Sequence, residues 1–589
     1  LFQPNNYLQD QPGTNTTILI KAGQFMVFLK KAFTMPDNTS SKTCLLFFSY
    51  CLLFISIHSC KFRQKADLII HHAKIYTVNQ NFDTAQALVV RDGKIMAIGN
   101  NDDILKEFES DDLVDAKGKF IYPGFMDAHA HFVNYGFSLQ QVDLTGTKSW
   151  EDCINKIKLF FKTKNIKAGE WVRGRGWDQN DWDKKEFPDK ALLDANFPDN
   201  PISLVRIDGH ALIANQKALG LANVQPGQML DGGTVETLNG KLTGILIDNA
   251  EDLIGAVIPV STTEAYIAAL KEAEQNCFAT GLTSVVDCGL DKKDVDLIDS
   301  LQKAGIIKMK MNVMLADNEA NYRYYLKAGP YKTERLDVNG FKLYADGALG
   351  SRGACLLQSY TDKPGWQGFL LKDRAYFEKI IPLIYNSKFQ ANTHAIGDSG
   401  NRMILQVYAS ALQGKNNRRW RVEHAQVVNK NDFDYFGKYS IIPSVQPTHA
   451  TSDMYWAQTR LGAERVKGAY AYKQLLDQNG WIPLGTDFPV EDISPFKTFF
   501  AAVERKDDKG YPAGGYQMEN ALTRKETLMG MTIWAAKGSF EEREKGSLEK
   551  GKAADFILID TDLIHCDPEA ILKTKVLATY SNGERVFGK

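Results

Sequence analysis

Apolar and polar positions alternate with a period of two at both ends of this chain and recur at helical spacing in its middle. From Ala66 the text reads "ADLIIHHAKIYTV", then "ALVVRDGKIMAIG" and "LVDAKGKFIYPG", with Asp92-Gly93 and Lys117-Gly118 as turns between strand-like runs. The C-terminus repeats the style in "GSLEKGKAADFILIDTD" and "VLATYSNGERVFG", where Asn582-Gly583 is a strong hairpin signal. Short strands at both ends predict one composite β-sandwich, assembled from residues 61–122 and 540–589. Between them the pattern changes. "TEAYIAALKEAEQNCFATG" has helical spacing and a glycine stop before the buried-strand run "LTSVVDCG", and "YKQLLDQNG" followed by "WIPLGTDFPV" repeats the plan. Helices alternating with buried strands over residues 123–539 predict an α/β fold, a (β/α)₈ barrel of TIM type. An open doubly wound sheet is the competing solution, and the lack of a G-x-G-x-x-G or P-loop motif after a strand counts against it.

The alternation breaks between about residues 150 and 256, where "RGRGWDQNDWDKKEFPDKALLDANFPDNP" is rich in Trp and Asp. An insertion after the first barrel strand is expected to sit over the C-terminal mouth and to shape a substrate pocket. Composition adds limits. With 589 residues, 44% hydrophobic and 24% charged, the chain can bury a large core, and 70 basic against 71 acidic residues give no global field for a polyanion. A small-molecule substrate is expected and nucleic acid is not; oligomeric state is not legible. The eight cysteines are scattered without C-x-x-C spacing, which argues against a zinc ribbon or a dense disulfide framework.

The N-terminal stretch reads as a leader of residues 1–60. The chain reaches Met26 and Met35 before any compact pattern, and some residues before Met35 are read as non-native. "CLLFFSYCLLFISI" from Cys44 to Ile57 is short for a membrane span but suits a signal-peptide core. "IHSCK" then resembles a bacterial lipoprotein signal in which Cys60 carries the lipid, although His58 is atypical there. An exported bacterial protein, periplasmic or membrane-anchored, is the expectation; a cytoplasmic protein is the alternative.

The candidate chemistry lies in the histidines. In "PGFMDAHAHF", His129 and His131 are one residue apart in a strand-like run, so both side chains point the same way and form half of a metal site. His394 in "QANTHAIGD" and His424 in "RWRVEHAQ" each end a short strand-like run, Asp487 follows another in "PLGTDFPV", and Lys342 lies within "GFKLYADGALGSRGA". Barrels display catalytic residues at such strand ends. Neutral imidazoles bind a divalent transition metal, an aspartate completes the shell or takes a proton, and zinc lowers the pKa of its water to about 7. A lysine repels cations unless it loses its proton; the free amine can then capture carbon dioxide as a carbamate, an anionic ligand. A salt bridge from Lys342 to Asp346 is the structural alternative.

These motifs, "PGFMDAHAHF", "GFKLYADGALGSRGACL", "THAIGD", "RVEHAQ" and "LGTDFPVE", resemble in type and order those of the amidohydrolase superfamily, and within it the YtcJ-like group that includes N-substituted formamide deformylases, in the amidohydrolase 3 family. The resemblance implies a metal-dependent hydrolase acting on a non-peptide C–N bond of amide, N-acyl or N-formyl type, using one or two divalent ions, most simply Zn²⁺. It implies His129 and His131 as first-strand ligands, Lys342 as a carboxylated bridge, and His394 and His424 as further ligands, with His424 also polarising the carbonyl. Asp487 is implied as ligand and proton shuttle. His210, Arg352, Trp177 and His449 are candidates for the substrate pocket. An esterase or lactonase on the same site, and a non-catalytic surface binding protein on the hydrolase scaffold, are the alternatives.

Overall fold

The computed structural model describes residues 63–207, 209–230, 233–259 and 262–588. The leader reading and its Cys60 lie outside them. At the centre is a closed ring of parallel strands: β1 (Phe125–Ala130), β2 (Leu282–Leu290), β3 (Lys310–Ala316), β4 (Leu336–Tyr344), β5 (Gln390–Ala395), β6 (Arg421–His424) and β7 (Ile442–Ser444). Each pairs with the next in sequence order. Covered on both faces, these strands read as nearly continuous buried runs, as parallel strands wrapped by helices must.

The eighth position is filled by residues 483–487, which are not a regular strand yet close the ring. Gly485 N–H donates to Val445 O at 3.0 Å, Ala128 N–H to Leu484 O at 3.2 Å and Asp487 N–H to His129 O at 2.7 Å. A Cβ on Gly485 would stand 2.5 Å from the backbone nitrogen of His129, so only glycine permits this approach to β1. Asp127 adds a clamp: its carboxylate accepts from His129 N–H (3.0 Å) and from the Thr486 hydroxyl (2.6 Å). Burial pushes that carboxyl up to about 7.

Helices Thr263–Ala279, Lys292–Lys303, Glu319–Ala328, Arg374–Asn386 and Asp398–Leu412 alternate with the strands and bury their apolar stripes on the ring. The two chain ends meet in the sandwich, where Phe556–Ile559 pairs antiparallel with Phe120–Pro123 in one sheet. The other sheet has the order Lys94–Gly99, Ala87–Arg91, Leu68–His71, Leu113–Asp115. Leu68, Ile70, Leu88, Val90, Ile121 and Phe556 fill the space between them. Asp92-Gly93 and Asn582-Gly583 are tight hairpins with both residues at positive φ. Lys117-Gly118 is also left-handed, but it turns a corner: Leu113–Asp115 lies in one sheet and Phe120–Pro123 in the other.

The Trp- and Asp-rich segment is a mixed sheet of its own, in the order Val142–Asp143, Val172–Trp177, Ile202–Arg206, Ala211–Ala214, Lys241–Asp248, Gly233–Leu238, Met229–Leu230. It has a separate apolar core around Trp150, Trp177, Leu193 and Ile202. The sheet starts ahead of Trp150, since a two-residue strand carries no visible alternation.

Candidate metal centre

Strand periodicity delivers the first pair. His129 and His131 leave β1 and its C-terminal edge on one side, with ring centroids 5.8 Å apart, while Ala128 and Ala130 face the other way. Lys342 near the end of β4 brings its Nζ to 3.0 Å from His129 Nε2. His394 from β5 and His424 from β6 meet at 4.6 Å between ring centroids, and His424 lies 4.8 Å from His129. From the eighth segment Asp487 places Oδ1 3.2 Å from His131 Nε2 and 3.6 Å from His129 Nε2. The structure thus gathers His129, His131, Lys342, His394, His424 and Asp487 at one point inside the C-terminal mouth. His424 (φ 71°) and Asp487 (φ 64°) both occupy the left-handed region, a strained backbone state of the kind stored at functional sites.

The surrounding polar groups fix which ring atoms face this point. His129 Nδ1 is 2.5 Å from Glu423 Oε2, and Glu423 is held in turn by Arg421, with Nε 2.7 Å from Oε1 and Nη2 2.9 Å from Oε2. With Nδ1–H donated to the carboxylate, the Nε2 lone pair points to the centre. His424 Nδ1 donates in the same way to Gln446 Oε1 at 2.8 Å. Burial, then the Lys342 charge, pushes His129 down to about 4; burial pushes His394 down to about 3 and His424 well below its ordinary value. All three are therefore neutral at pH 7, the form that binds metals. Asp487 moves the other way: burial would raise its carboxyl, but His129, His131 and His449 hold it well below the usual range.

His449 is the neighbour that stays charged. Its Nε2 is 3.3 Å from Asp487 Oδ2 and its Nδ1 3.0 Å from Glu491 Oε1. Burial opposes the imidazolium, but these two carboxylates hold its pKa up to about 10. Lys342 does not pair with Asp346, whose carboxylate accepts instead from the N–H groups of Cys355, Ile396 and Gly397.

The donor set fits a divalent transition cation. His394 Nε2 and Asp487 Oδ1 are buried without a hydrogen-bond partner, a cost that ligation of a cation would remove for each. Donor atoms of His129, His131 and Asp487 lie within 4.8 Å of one another, as do those of His424, His449 and Asp487. Of these, the doubly hydrogen-bonded His449 has no free lone pair to give.

A cavity of about 420 Å³ opens over the centre. Beside His131, Lys342, His394, His424 and Asp487 it is lined by Tyr344, Leu349, Ile396, Trp456 and Val490, and by Gln426, His449, Asp453 and Glu491. Three of the pocket candidates are placed elsewhere. Trp177 is fully buried in the insertion's core, where its indole donates to Leu204 O at 2.8 Å. His210 is exposed on the insertion beside Asp248. Arg352 pairs with Asp362 at 2.8 Å. Among the described residues, none of the insertion lines this cavity; the apolar residues of its first half form a core of their own.

Sequence reasoning missed Glu423, Arg421, Gln446 and Glu491. Glu423 directly precedes His424, and strict alternation would send the two to opposite faces; the positive φ at His424 lets both reach His129.

Comparison with known proteins agrees with this geometry. The family described as "Amidohydrolase family" matches residues 112–587. The chain is 32% identical over 544 residues to Protein LONG AFTER FAR-RED 3 of Arabidopsis thaliana, covering 89% of this chain and 92% of that protein. It is 29% identical to putative amidohydrolase YtcJ of Bacillus subtilis (88% and 99% covered) and 25% identical to N-substituted formamide deformylase of Arthrobacter pascens (88% and 98%). Among solved structures, an uncharacterized metal-dependent hydrolase from Pyrococcus horikoshii superposes with a TM-score of 0.71 at 28% identity, covering 86% of this chain and 99% of that one. With the ligand-competent cluster at the mouth of its barrel, the chain belongs to the amidohydrolase family and is a metal-dependent hydrolase of that superfamily.

Proposed function

We propose that this hydrolase cleaves a carbon–nitrogen bond of amide type, N-acyl or N-formyl, in a small molecule, with zinc as its metal. The observation that carries the reading is the division of Asp487: Oδ1 faces the histidine cluster and Oδ2 faces the His449 imidazolium. A carboxylate so placed is ionised at neutral pH, is held in one orientation, and stands where it can take a proton from water and return it to a departing amine. Zinc, when bound by His129, His131, His394, His424 and a carboxylated Lys342, supplies Lewis acidity and lowers the pKa of water to about 7. The chain's own groups do the rest. Glu423 and Gln446 keep the ring lone pairs aimed at the centre. Tyr344, Leu349, Ile396 and Trp456 give the cavity an apolar wall that suits an apolar or aromatic substituent. The formamide deformylase relative supports the C–N reading.

The test is a panel of N-formyl and N-acyl amines set against esters and lactones of the same acyl and leaving-group shape, assayed with zinc-loaded protein. Turnover of amides with kcat/KM at least tenfold above the matched esters is expected. Preference for esters would move the reading to an esterase, and binding without turnover of either class would favour a surface binding protein.

A further inference from the structure

The sandwich carries a second group of side chains of metal-ligating type, in a different sheet from the barrel cluster. Strand Leu68–His71 runs parallel to Leu113–Asp115 with His71 opposite Asp115. The pairing continues past the strand end, where Ala116 N–H donates to His71 O at 2.9 Å and Gly118 N–H to His72 O at 2.7 Å. In a regular strand, His72 would point to the face opposite His71. It takes instead φ 52°, a left-handed conformation uncommon outside glycine, and Asn101 Oδ1 holds it there by accepting the His72 N–H at 2.8 Å. The two imidazoles therefore end side by side, with centroids 4.3 Å apart. One nitrogen from each ring and a carboxylate oxygen of Asp115 all lie within 4.8 Å of one another. His72 Nδ1 is 3.2 Å from Asp115 Oδ1, while His71 Nδ1 is buried with no hydrogen-bond partner. A simple His72–Asp115 ion pair would account for one ring and leave His71 unexplained.

We propose that His71, His72 and Asp115 form a binding site for a divalent transition cation, independent of the barrel centre. Two imidazoles and one carboxylate make a nitrogen-rich set that selects the zinc, nickel and copper class over magnesium or calcium, which take all-oxygen shells. The His72 and Asp115 side chains are 53% and 45% exposed, which leaves the remaining coordination positions to water and makes binding reversible. The ligands come from two neighbouring strand ends of one sheet, so the cation would cross-link them and stabilise the sandwich by mass action, with no part in turnover.

The test uses the full chain with its barrel site intact. Parent, His71→Gln, His72→Asn and Asp115→Asn proteins are dialysed against buffered zinc and their bound metal counted; Asn is chosen at position 72 because it tolerates the left-handed backbone. The parent is expected to hold one equivalent more than each variant, with turnover unchanged. In parallel, Cu²⁺ is added and its paramagnetic resonance spectrum recorded. With the barrel centre already filled by zinc, a component with two-imidazole nitrogen coupling is expected in the parent, absent from His71→Gln and His72→Asn, and of lower copper affinity in Asp115→Asn. Equal zinc stoichiometry across folded, active proteins, or a copper spectrum unchanged by the substitutions, would overturn the proposal.

Discussion

Glu423→Gln isolates the electrostatic work done behind the metal centre. Arg421, Glu423 and His129 are all fully buried, and the carboxylate joins the other two. Burial alone would raise the Glu423 carboxyl, but the Arg421 charge and the hydrogen bond from His129 overcome it, holding it at about 2 against an ordinary 4.5. At about 1.4 kcal/mol per unit, this depression corresponds to roughly 3 kcal/mol. Loss of one partner from a buried ion pair independently costs about 3–5 kcal/mol. The sign follows from a folded pKa below the unfolded one: the stabilisation is complete above about pH 4.5 and is lost as pH falls toward 2. The glutamine keeps the shape and can still accept from His129 Nδ1–H, but it leaves the Arg421 guanidinium without a counter-charge. Metal-free Glu423→Gln should unfold at lower urea than the parent at pH 7, with the gap narrowing as the parent is taken below pH 4.5. Zinc competition against a chelator should show a 10–100-fold weaker site, the usual effect of removing a group that orients a ligand histidine. An unchanged urea midpoint together with unchanged zinc affinity would refute the account of Glu423 as both counter-ion and orienting group.

Asp487→Asn removes the proton acceptor while keeping its size, so kcat against any accepted substrate should fall about 10²–10⁴-fold; a loss under tenfold by steady-state assay would exclude the shuttle role. In a His71→Gln background, which leaves only the barrel centre, Lys342→Ala should lower zinc content by elemental analysis from near two equivalents to one or fewer if the lysine is a carboxylated bridge, and equal content would remove it from the ligand set. Trp177→Ala empties a fully buried site in the insertion's core, for which about 3–5 kcal/mol is the usual cost. It should sensitise the insertion to proteolysis while leaving KM for a small substrate within about twofold, and a large KM change would return Trp177 to the pocket.

The centre was legible in the sequence because its geometry follows from periodic structure. Two histidines one residue apart need only a strand to share a face, and His394, His424 and Asp487 need only the rule that a barrel shows its strand ends on one side. What lay hidden depends on departures from periodicity. Glu423 reaches His129 because His424 breaks the alternation, and the eighth segment closes the ring through Gly485 and backbone hydrogen bonds without forming a regular strand. Trp177 failed as a pocket residue for a third reason. A Trp-rich run has the same composition whether it lines a ligand site or fills a core, and the insertion's own sheet gave its tryptophans a core to fill. His449 shows where the two kinds of information meet. Its sequence neighbourhood marked it only as a candidate, whereas contact with Asp487 and Glu491 gives it a role that the metal histidines cannot take, since a ring bonded to a carboxylate at each nitrogen is held as a cation. Histidines of one type are thus divided by their partners into neutral rings that can hold the metal and a charged ring that holds Asp487.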